Sequence, residues 1–126
     1  MPPSVLIVDD EPAICDNLAA FLEDEGMRAE VAHSGEQAVD LISGGLAVDV
    51  CIMDLRLPGM NGAQTILALR HLAPGLRFIV HTGSASDKVA AQLSRNGLES
   101  VPVFNKPVQD MAQFAAAVTA MWAAAS

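Results

Sequence analysis

Two short apolar runs, each ending in aspartate, constrain the fold of this chain more than any other feature. Residues 50–53 read Val-Cys-Ile-Met and lead into Asp54, and residues 5–8 read Val-Leu-Ile-Val and lead into Asp9 and Asp10. A continuous apolar run is typical of a strand buried on both faces, as in a parallel sheet covered by helices. In open α/β sheets, ligands bind at the carboxyl ends of the strands. The runs therefore predict a parallel sheet with carboxylates at its functional edge.

Predicted strands and helices alternate five times along the chain. Strands are predicted at residues 5–8, 28–32, 48–53, 78–81 and 101–104, and helices at about 12–25, 35–43, 63–71, 87–95 and 111–122. This alternation predicts an α/β fold in which right-handed crossovers place helices on both faces of the sheet. Pro102 cannot donate a ladder hydrogen bond, so the fifth strand is expected at a sheet edge.

Several helix features can be predicted in more detail. Ser34 and Gln37 fit a capping box at the start of the second helix. The fourth helix is predicted to be the weakest, because its buried stripe contains only Val89, Ala90 and Leu93. The last helix has a broad apolar face at i, i+3, i+4 and i+7 spacing. Its members are Met111, Phe114, Ala115, Val118, Met121 and Trp122.

Composition and charge narrow the functional class. A chain of 126 residues that is 52% hydrophobic is expected to form one domain, spanning residues 1–126. The formal net charge of -8 argues against nucleic-acid binding through this domain, because phosphate contacts need a basic face. No apolar run is long enough to span a bilayer and no signal peptide is recognised. Cys15 and Cys51 lie far apart, as is typical of reduced core cysteines, so a cytoplasmic location is expected.

The carboxyl ends of five parallel strands would bring together Asp9, Asp10, Asp54, Thr82 and Lys106. Two unit charges about 4 Å apart repel by about 4 kcal/mol at an effective dielectric constant of about 20. A divalent cation bound through oxygen would relieve that repulsion. Asp54 could also act as a nucleophile that forms an aspartyl phosphate. Lys106 would then neutralise the phosphoryl group and Thr82 would donate a hydrogen bond to it.

Each of these residues also has a purely structural interpretation. Asp10 could simply begin a helix, Asp54 could be a turn residue and Thr82 could cap the next helix. Lys106 could be a solvated surface lysine. Taken singly, the structural and functional interpretations are about equally well supported. Their occurrence together at the ends of predicted strands favours a shared site.

Four motifs carry a resemblance to a known family. They are Leu6-Ile7-Val8-Asp9-Asp10-Glu11, Asp54-Leu55-Arg56-Leu57-Pro58-Gly59-Met60-Asn61-Gly62, His81-Thr82-Gly83 and Lys106-Pro107. Over almost its full length the chain resembles the receiver domain of bacterial two-component response regulators. The resemblance implies a flavodoxin-like, doubly wound (βα)5 sandwich with a five-stranded parallel sheet in the order 2-1-3-4-5. It also implies a signalling protein rather than an enzyme, whose only catalysis is its own phosphoryl transfer and dephosphorylation.

The resemblance also implies a role for each site residue. Asp54 would accept a phosphoryl group from a histidine kinase or a histidine phosphotransfer protein. Asp9, Asp10, Asp54 and the backbone carbonyl of Arg56 would hold Mg2+. Thr82 would be the switch hydroxyl, Lys106 would pair with the phosphate, and the Lys106-Pro107 bond would be cis. The surface would then change for an unknown downstream protein.

Two further features bear on how such a switch would work. Arg56 and Ser84 flank the site and are expected to tune the lifetime of the phosphate. The family often has Tyr or Phe three residues before the lysine, where this chain has Val103, followed by Phe104. The segment of residues 96–103 is also longer than usual. The surface formed by the fourth helix and fifth strand is therefore expected to be atypical.

Two alternative functions remain open from the sequence. A metal-dependent phosphatase can place a nucleophilic aspartate after its first strand in an Asp-x-Asp pattern, whereas this chain has adjacent Asp9 and Asp10 and no large cap. A receiver-like interaction module that has lost switching is the other alternative, and Val103 lends it weight.

Overall fold

The computed structural model describes residues 2–83, 86–108 and 110–125 of the chain. Five strands and five helices alternate within these residues. The strands are β1 (Ser4–Val8), β2 (Arg28–Ala32), β3 (Val50–Met53), β4 (Arg77–Thr82) and β5 (Val103–Asn105). The helices are α1 (Pro12–Asp24), α2 (Gly35–Ser43), α3 (Gly62–Leu72), α4 (Ser86–Arg95) and α5 (Ala112–Ala125). None of the helices in this part of the chain is long and apolar enough to cross a membrane.

All five strands are parallel, and their order is β2-β1-β3-β4-β5. The predicted fold class and strand order are therefore confirmed, and β5 lies at a sheet edge as Pro102 indicated. In the central pair, Val8 lies opposite Met53. The residues that follow these two, Asp9 and Asp54, consequently leave the sheet at the same level.

The sheet separates two apolar layers. Leu6, Cys51 and Val80 face the layer that contains α2, α3 and α4, whereas Ile7 and Ile52 face the layer with α1 and α5. Successive side chains of a strand point to opposite faces, and here both faces are covered. This arrangement explains why residues 5–8 of β1 and all of β3 are apolar, rather than every second residue.

β3 and β5 begin two residues later than predicted, whereas the start of β1, both ends of β4 and the end of β5 differ by one residue. β3 begins at Val50 rather than at residue 48. The carboxylate of Asp49, just before it, accepts hydrogen bonds from the backbone N–H and the hydroxyl of Ser4 at 2.8 and 3.1 Å. β5 begins at Val103 rather than at residue 101. Pro102 accepts a hydrogen bond from the N–H of Val80 at 2.8 Å but has no N–H to return, so pairing is one-sided there.

The capping prediction for α2 is half correct. The Ser34 hydroxyl accepts a hydrogen bond from the Gln37 N–H at 3.0 Å, but the Gln37 side chain accepts from the N–H of His33 instead of Ser34. A complete capping box occurs at the start of α3, where Asn61 and Gln64 exchange hydrogen bonds of 2.9 and 3.0 Å.

The two last helices follow their predicted patterns closely. In α4, Val89 and Leu93 are buried, but Ala90 is exposed, so its apolar stripe is narrower than predicted. In α5, the predicted face is confirmed. Phe114, Ala115 and Val118 are buried, and Met111, Met121 and Trp122 are half-buried.

Gly62 lets α3 pack directly against the residues that follow β3. A Cβ atom at this position would overlap the carbonyl oxygen of Asp54 and lie 2.6 Å from the Cα atom of Leu55. The Gly62 N–H also donates to the Leu55 carbonyl at 3.1 Å. The absence of a side chain here therefore fixes the backbone on which Asp54 sits.

We expect Gly62→Ala to destabilise the fold, because overpacking against backbone atoms costs about 1–3 kcal/mol. Urea unfolding should show this loss. Gly75→Ala is the matched control, since a Cβ there meets nothing within 4 Å and the substitution should be neutral or slightly stabilising. Equal stability of the two variants would contradict the packing argument.

Candidate functional site

The ends of β1 and β3 hold two buried carboxylates side by side. The N–H of Asp9 donates to the carbonyl of Ala32 at 3.1 Å, and the N–H of Asp54 donates to the carbonyl of Val8 at 3.0 Å. Sheet hydrogen bonding thus continues one residue beyond each strand. Only 2% of Asp9 and 4% of Asp54 are exposed, so both charges are withdrawn from water.

Four carboxylates converge at this edge. Asp9, Asp10, Glu11 and Asp54 each offer an oxygen, and these four oxygens lie within 4.8 Å of one another. We call these four residues the acidic cluster. Asp10 and Glu11 are exposed, whereas Asp9 and Asp54 are buried. The sequence assigned no role in the site to Glu11, which was named only as the last residue of the first motif, although its place directly after Asp10 is a signal that it could reach the same edge.

Lys106 supplies the opposite charge. Its Nζ lies 2.8 Å from Oδ2 of Asp9, 3.2 Å from Oδ2 of Asp54 and 3.3 Å from Oε1 of Glu11. The Lys106 side chain is 13% exposed, so the ion pairs with the two aspartates are largely shielded from solvent. The Lys106-Pro107 bond is cis, as the resemblance implied.

Burial and charge shift the ionisation of the buried groups. Burial raises the pKa of Asp54 above its ordinary value, although the Arg56 N–H and the Lys106 charge act in the opposite direction. Burial alone would lower the pKa of Lys106, but the hydrogen bond to Asp9 and the charges of Asp54 and Asp9 outweigh it and raise that pKa. Lys106 therefore stays protonated throughout the neutral range.

Thr82 and Arg56 are connected to Lys106 and Asp54 through backbone hydrogen bonds. Thr82 ends β4 and is fully buried, and its carbonyl accepts a hydrogen bond from the Lys106 N–H at 2.8 Å. The backbone N–H of Arg56 donates to Oδ1 of Asp54 at 3.1 Å, while the Arg56 side chain is exposed. Ser84, predicted to flank the site, lies outside the described residues.

Two neighbours of the site were not assigned to it from the sequence. The Cys15 thiol donates to the Asp9 carbonyl at 3.3 Å, and burial raises the pKa of this thiol to about 11. His81 precedes Thr82 and packs edge-on against Phe114 at a ring-centroid distance of 4.8 Å. Burial lowers the pKa of His81 to about 4, so the ring is neutral at pH 7.

The donor set of the acidic cluster suits a hard divalent cation. Mg2+ and Ca2+ prefer oxygen ligands, and the cluster consists only of carboxylates, two of them open to solvent. The Arg56 carbonyl remains a predicted ligand. Chemically, the site combines a carboxylate that can act as a nucleophile, a fixed ammonium group and a place for a cation.

The raised pKa of Asp54 leads to a pH-dependent prediction. When a carboxyl group has a higher pKa in the folded than in the unfolded state, its ionisation costs stability as the pH rises through the folded-state pKa. In the absence of metal, Asp54→Asn should therefore unfold at a higher urea concentration than the wild type at pH 7. The difference should shrink towards pH 4.

Asp40→Asn is the matched control for this experiment, because Asp40 is an exposed carboxylate on α2. It should show no such pH-dependent gain. A lower urea midpoint for Asp54→Asn than for the wild type at pH 7, with a deficit that shrinks towards pH 4, would show instead that the Asp54 charge stabilises the fold.

Comparison with known proteins connects this geometry to a family. The family model of the response regulator receiver domain matches residues 5–119. A response regulator receiver protein of Anaeromyxobacter sp. (strain Fw109-5) is 35% identical over 103 residues, which are 82% of this chain and 42% of that protein. The transcriptional regulatory protein CpxR of Escherichia coli (strain K12) is 38% identical over 87 residues, 68% of this chain and 36% of CpxR. The chain thus spans about two-fifths of the length of these curated relatives.

Solved structures agree with the sequence comparison. A CheY-like response regulator receiver domain protein from Methanospirillum hungatei JF-1 superimposes with a TM-score of 0.87 at 26% identity, covering 99% of this chain and 97% of that one. A Burkholderia pseudomallei response regulator, solved with a phosphorylated aspartic acid, a calcium ion and citrate, has a TM-score of 0.79 at 29% identity and covers 92% of this chain and 66% of that one. From its sequence, fold and clustered carboxylates, the chain belongs to the response regulator receiver domain family, the signalling domains of two-component systems.

Proposed function

We propose that this receiver domain is a switch in which Asp54 accepts a phosphoryl group from the phosphohistidine of a histidine kinase or a histidine phosphotransfer protein. The observation that carries the proposal is the contact of Asp54 with a fixed ammonium group inside an acidic cluster. Oδ2 of Asp54 lies 3.2 Å from Nζ of Lys106, and Oδ1 accepts the Arg56 N–H. Hydrogen bonds to both carboxylate oxygens thus fix the orientation of the Asp54 side chain.

The proposed reaction transfers one phosphoryl group. An Asp54 carboxylate oxygen attacks phosphorus, an O–P bond forms, and the P–N bond to the histidine breaks as its electron pair returns to the imidazole. The Lys106 ammonium neutralises charge on the phosphoryl oxygens, and the Thr82 hydroxyl donates a hydrogen bond to one of them after transfer.

A divalent cation belongs to this proposal. Asp9, Asp10, Asp54 and the backbone carbonyl of Arg56 would hold Mg2+, which when bound supplies positive charge opposite the phosphoryl oxygens. Glu11 belongs to the same cluster and would add negative charge around the cation. The Burkholderia pseudomallei relative, solved with both a phosphorylated aspartic acid and a calcium ion, supports this combination for a related chain.

Phosphorylation would then shift a population between two surfaces. Moving an equilibrium from 1:99 to 99:1 takes about 5.5 kcal/mol of differential stabilisation. New charge-assisted hydrogen bonds are worth about 1.5–3 kcal/mol each, so contacts of the phosphoryl group with Thr82 and Lys106 approach that requirement. α4 is a candidate moving part because, among its residues of described burial, Val89 and Leu93 are the buried ones.

The proposal also covers the extent of the domain, its location in the cell and its partner. Residues 1–126 act as one receiver domain in the cytoplasm, without membrane insertion and without nucleic-acid contacts of their own, as the net charge of -8 favours. The downstream partner is a protein that distinguishes the two surfaces.

We expect the wild-type chain, incubated with Mg2+ and acetyl phosphate, to gain the mass of one phosphoryl group. Asp54→Asn should abolish the gain, because the nucleophilic oxygen is lost. Asp40→Asn makes the same charge change on α2 and should still be phosphorylated. Intact-mass spectrometry with peptide mapping measures both results. Labelling of another residue would refute the assignment, and continuous turnover of small phosphomonoesters would favour a phosphatase.

We expect Asp10→Asn to weaken Mg2+ binding by about tenfold or more. A tenfold change corresponds to about 1.4 kcal/mol, and a charge pair at 4 Å near a protein surface is worth a few kcal/mol. Isothermal titration of the metal-free chain measures the affinity. Asp24→Asn, an equal charge change at the distant end of α1, is the control. Equal weakening by both variants would mean that only net charge matters.

A further inference from the structure

Three aromatic rings form a continuous row beside the site. The His81 ring lies edge-on to Phe114 at 4.8 Å and 76°, and Phe104 lies edge-on to Phe114 at 4.9 Å and 67°. His81 and Phe104 also face each other in the β4–β5 register. We call His81, Phe114 and Phe104 the aromatic row. The row links the strand that ends at Thr82 to the middle of the α1–α5 layer.

His81 is poorly accommodated in this arrangement. The residue is 7% exposed, and its Nε2 has no hydrogen-bond partner among the residues that the structure describes. A buried nitrogen without a partner is costly, and such a group calls for an explanation. An alternative position that offers Nε2 a partner would remove that cost.

Space for such a position lies next to the ring. A cavity of about 220 Å³ is lined by His81 and Phe114, by Asn17 of α1 and by Lys106. Asn17 lies on the cavity wall, and its uncharged side-chain amide can both donate and accept a hydrogen bond. The cavity therefore combines room for the ring to move with a partner for Nε2.

The row is joined directly to the groups that would respond to phosphorylation. His81 is bonded to Thr82 through one peptide unit, and the Thr82 carbonyl accepts the Lys106 N–H at 2.8 Å. Lys106 lines the cavity at one end and contacts Asp54 at the other. On the opposite face of the sheet, Val103 presents only a small aliphatic side chain to the groove beside α4.

We propose that His81 and Phe114 are positioning residues that transmit the phosphorylation state of Asp54 to α5. When Thr82 and Lys106 move towards the phosphorylated Asp54, the His81 ring turns into the cavity, its Nε2 bonds to Asn17, and Phe114 and α5 follow. This inference rests on the proposed function. It adds α5 to the surface that changes.

The test compares NMR spectra of each protein with and without Mg2+ and beryllofluoride, which mimics the phosphoryl group. In the wild type, the His81 ring resonances and the amides of residues 114–118 should shift. In Phe114→Leu, the His81 ring should still respond while the response of residues 115–118 is lost. In His81→Leu the response of residues 114–118 should be lost, and His81→Gln, which keeps a hydrogen-bonding group, should restore part of it.

Phe21→Leu is the matched control, because it removes an aromatic ring from the same apolar layer away from the row, and it should keep the α5 response. If Phe114→Leu fails to fold, His81→Leu still tests the inference, because it replaces a poorly accommodated ring and should leave the fold intact. Shifts confined to α4 and β5 in the wild type, or an α5 response unchanged in His81→Leu, would overturn the inference alone. Absence of any beryllofluoride response together with absence of mass gain at Asp54 would overturn the proposed function as well.

Discussion

The ion pairs of Lys106 are the interaction on which the functional edge depends. Asp9 and Asp54 are almost fully buried and lie in a cluster whose oxygens are within 4.8 Å of one another. Two such charges repel by about 4 kcal/mol at an effective dielectric constant of about 20. One ammonium group, 2.8 Å from Asp9 and 3.2 Å from Asp54, offsets that repulsion. Lys106 follows β5 but compensates charges at the ends of β1 and β3, so it ties the edge strand to the sheet centre.

The same lysine would have to serve both states of a switch. In this structure its Nζ is committed to carboxylates, and a phosphoryl group on Asp54 would compete for the same protons. The backbone N–H of Lys106 also donates to the Thr82 carbonyl at the end of β4. A change in the partners of the lysine side chain would therefore act on β4 through this bond. Charge at Asp54 and backbone position at Thr82 are therefore coupled through one residue.

Much of the fold could be predicted because residues 5–8 of β1 and all of β3 are buried on both faces and are therefore continuously apolar. The meeting of Asp9, Asp54 and Lys106 followed from parallel strands alone. Other features depend on contacts between distant residues. The bond between Asp49 and Ser4 just before β3, and the bond between the Pro102 carbonyl and Val80 just before β5, each join residues that are far apart in the sequence. Local patterns do not encode such contacts. For the same reason, the position of Glu11 in the acidic cluster and the exposure of Ala90 were not predicted.

The alternation of side chains along a strand explains why one backbone movement can reach two surfaces. Val80 faces the layer with α4, so His81 faces the layer with α5, and Thr82 returns to the first side. In β5, Val103 borders the α4 groove while Phe104 packs towards α5. A movement of β4 and β5 would therefore reach α4 through the small side chain of Val103, and α5 through the contacting rings of the aromatic row. Since close-packed rings have little room to move independently, the proposed displacement would have its larger effect on the α5 side.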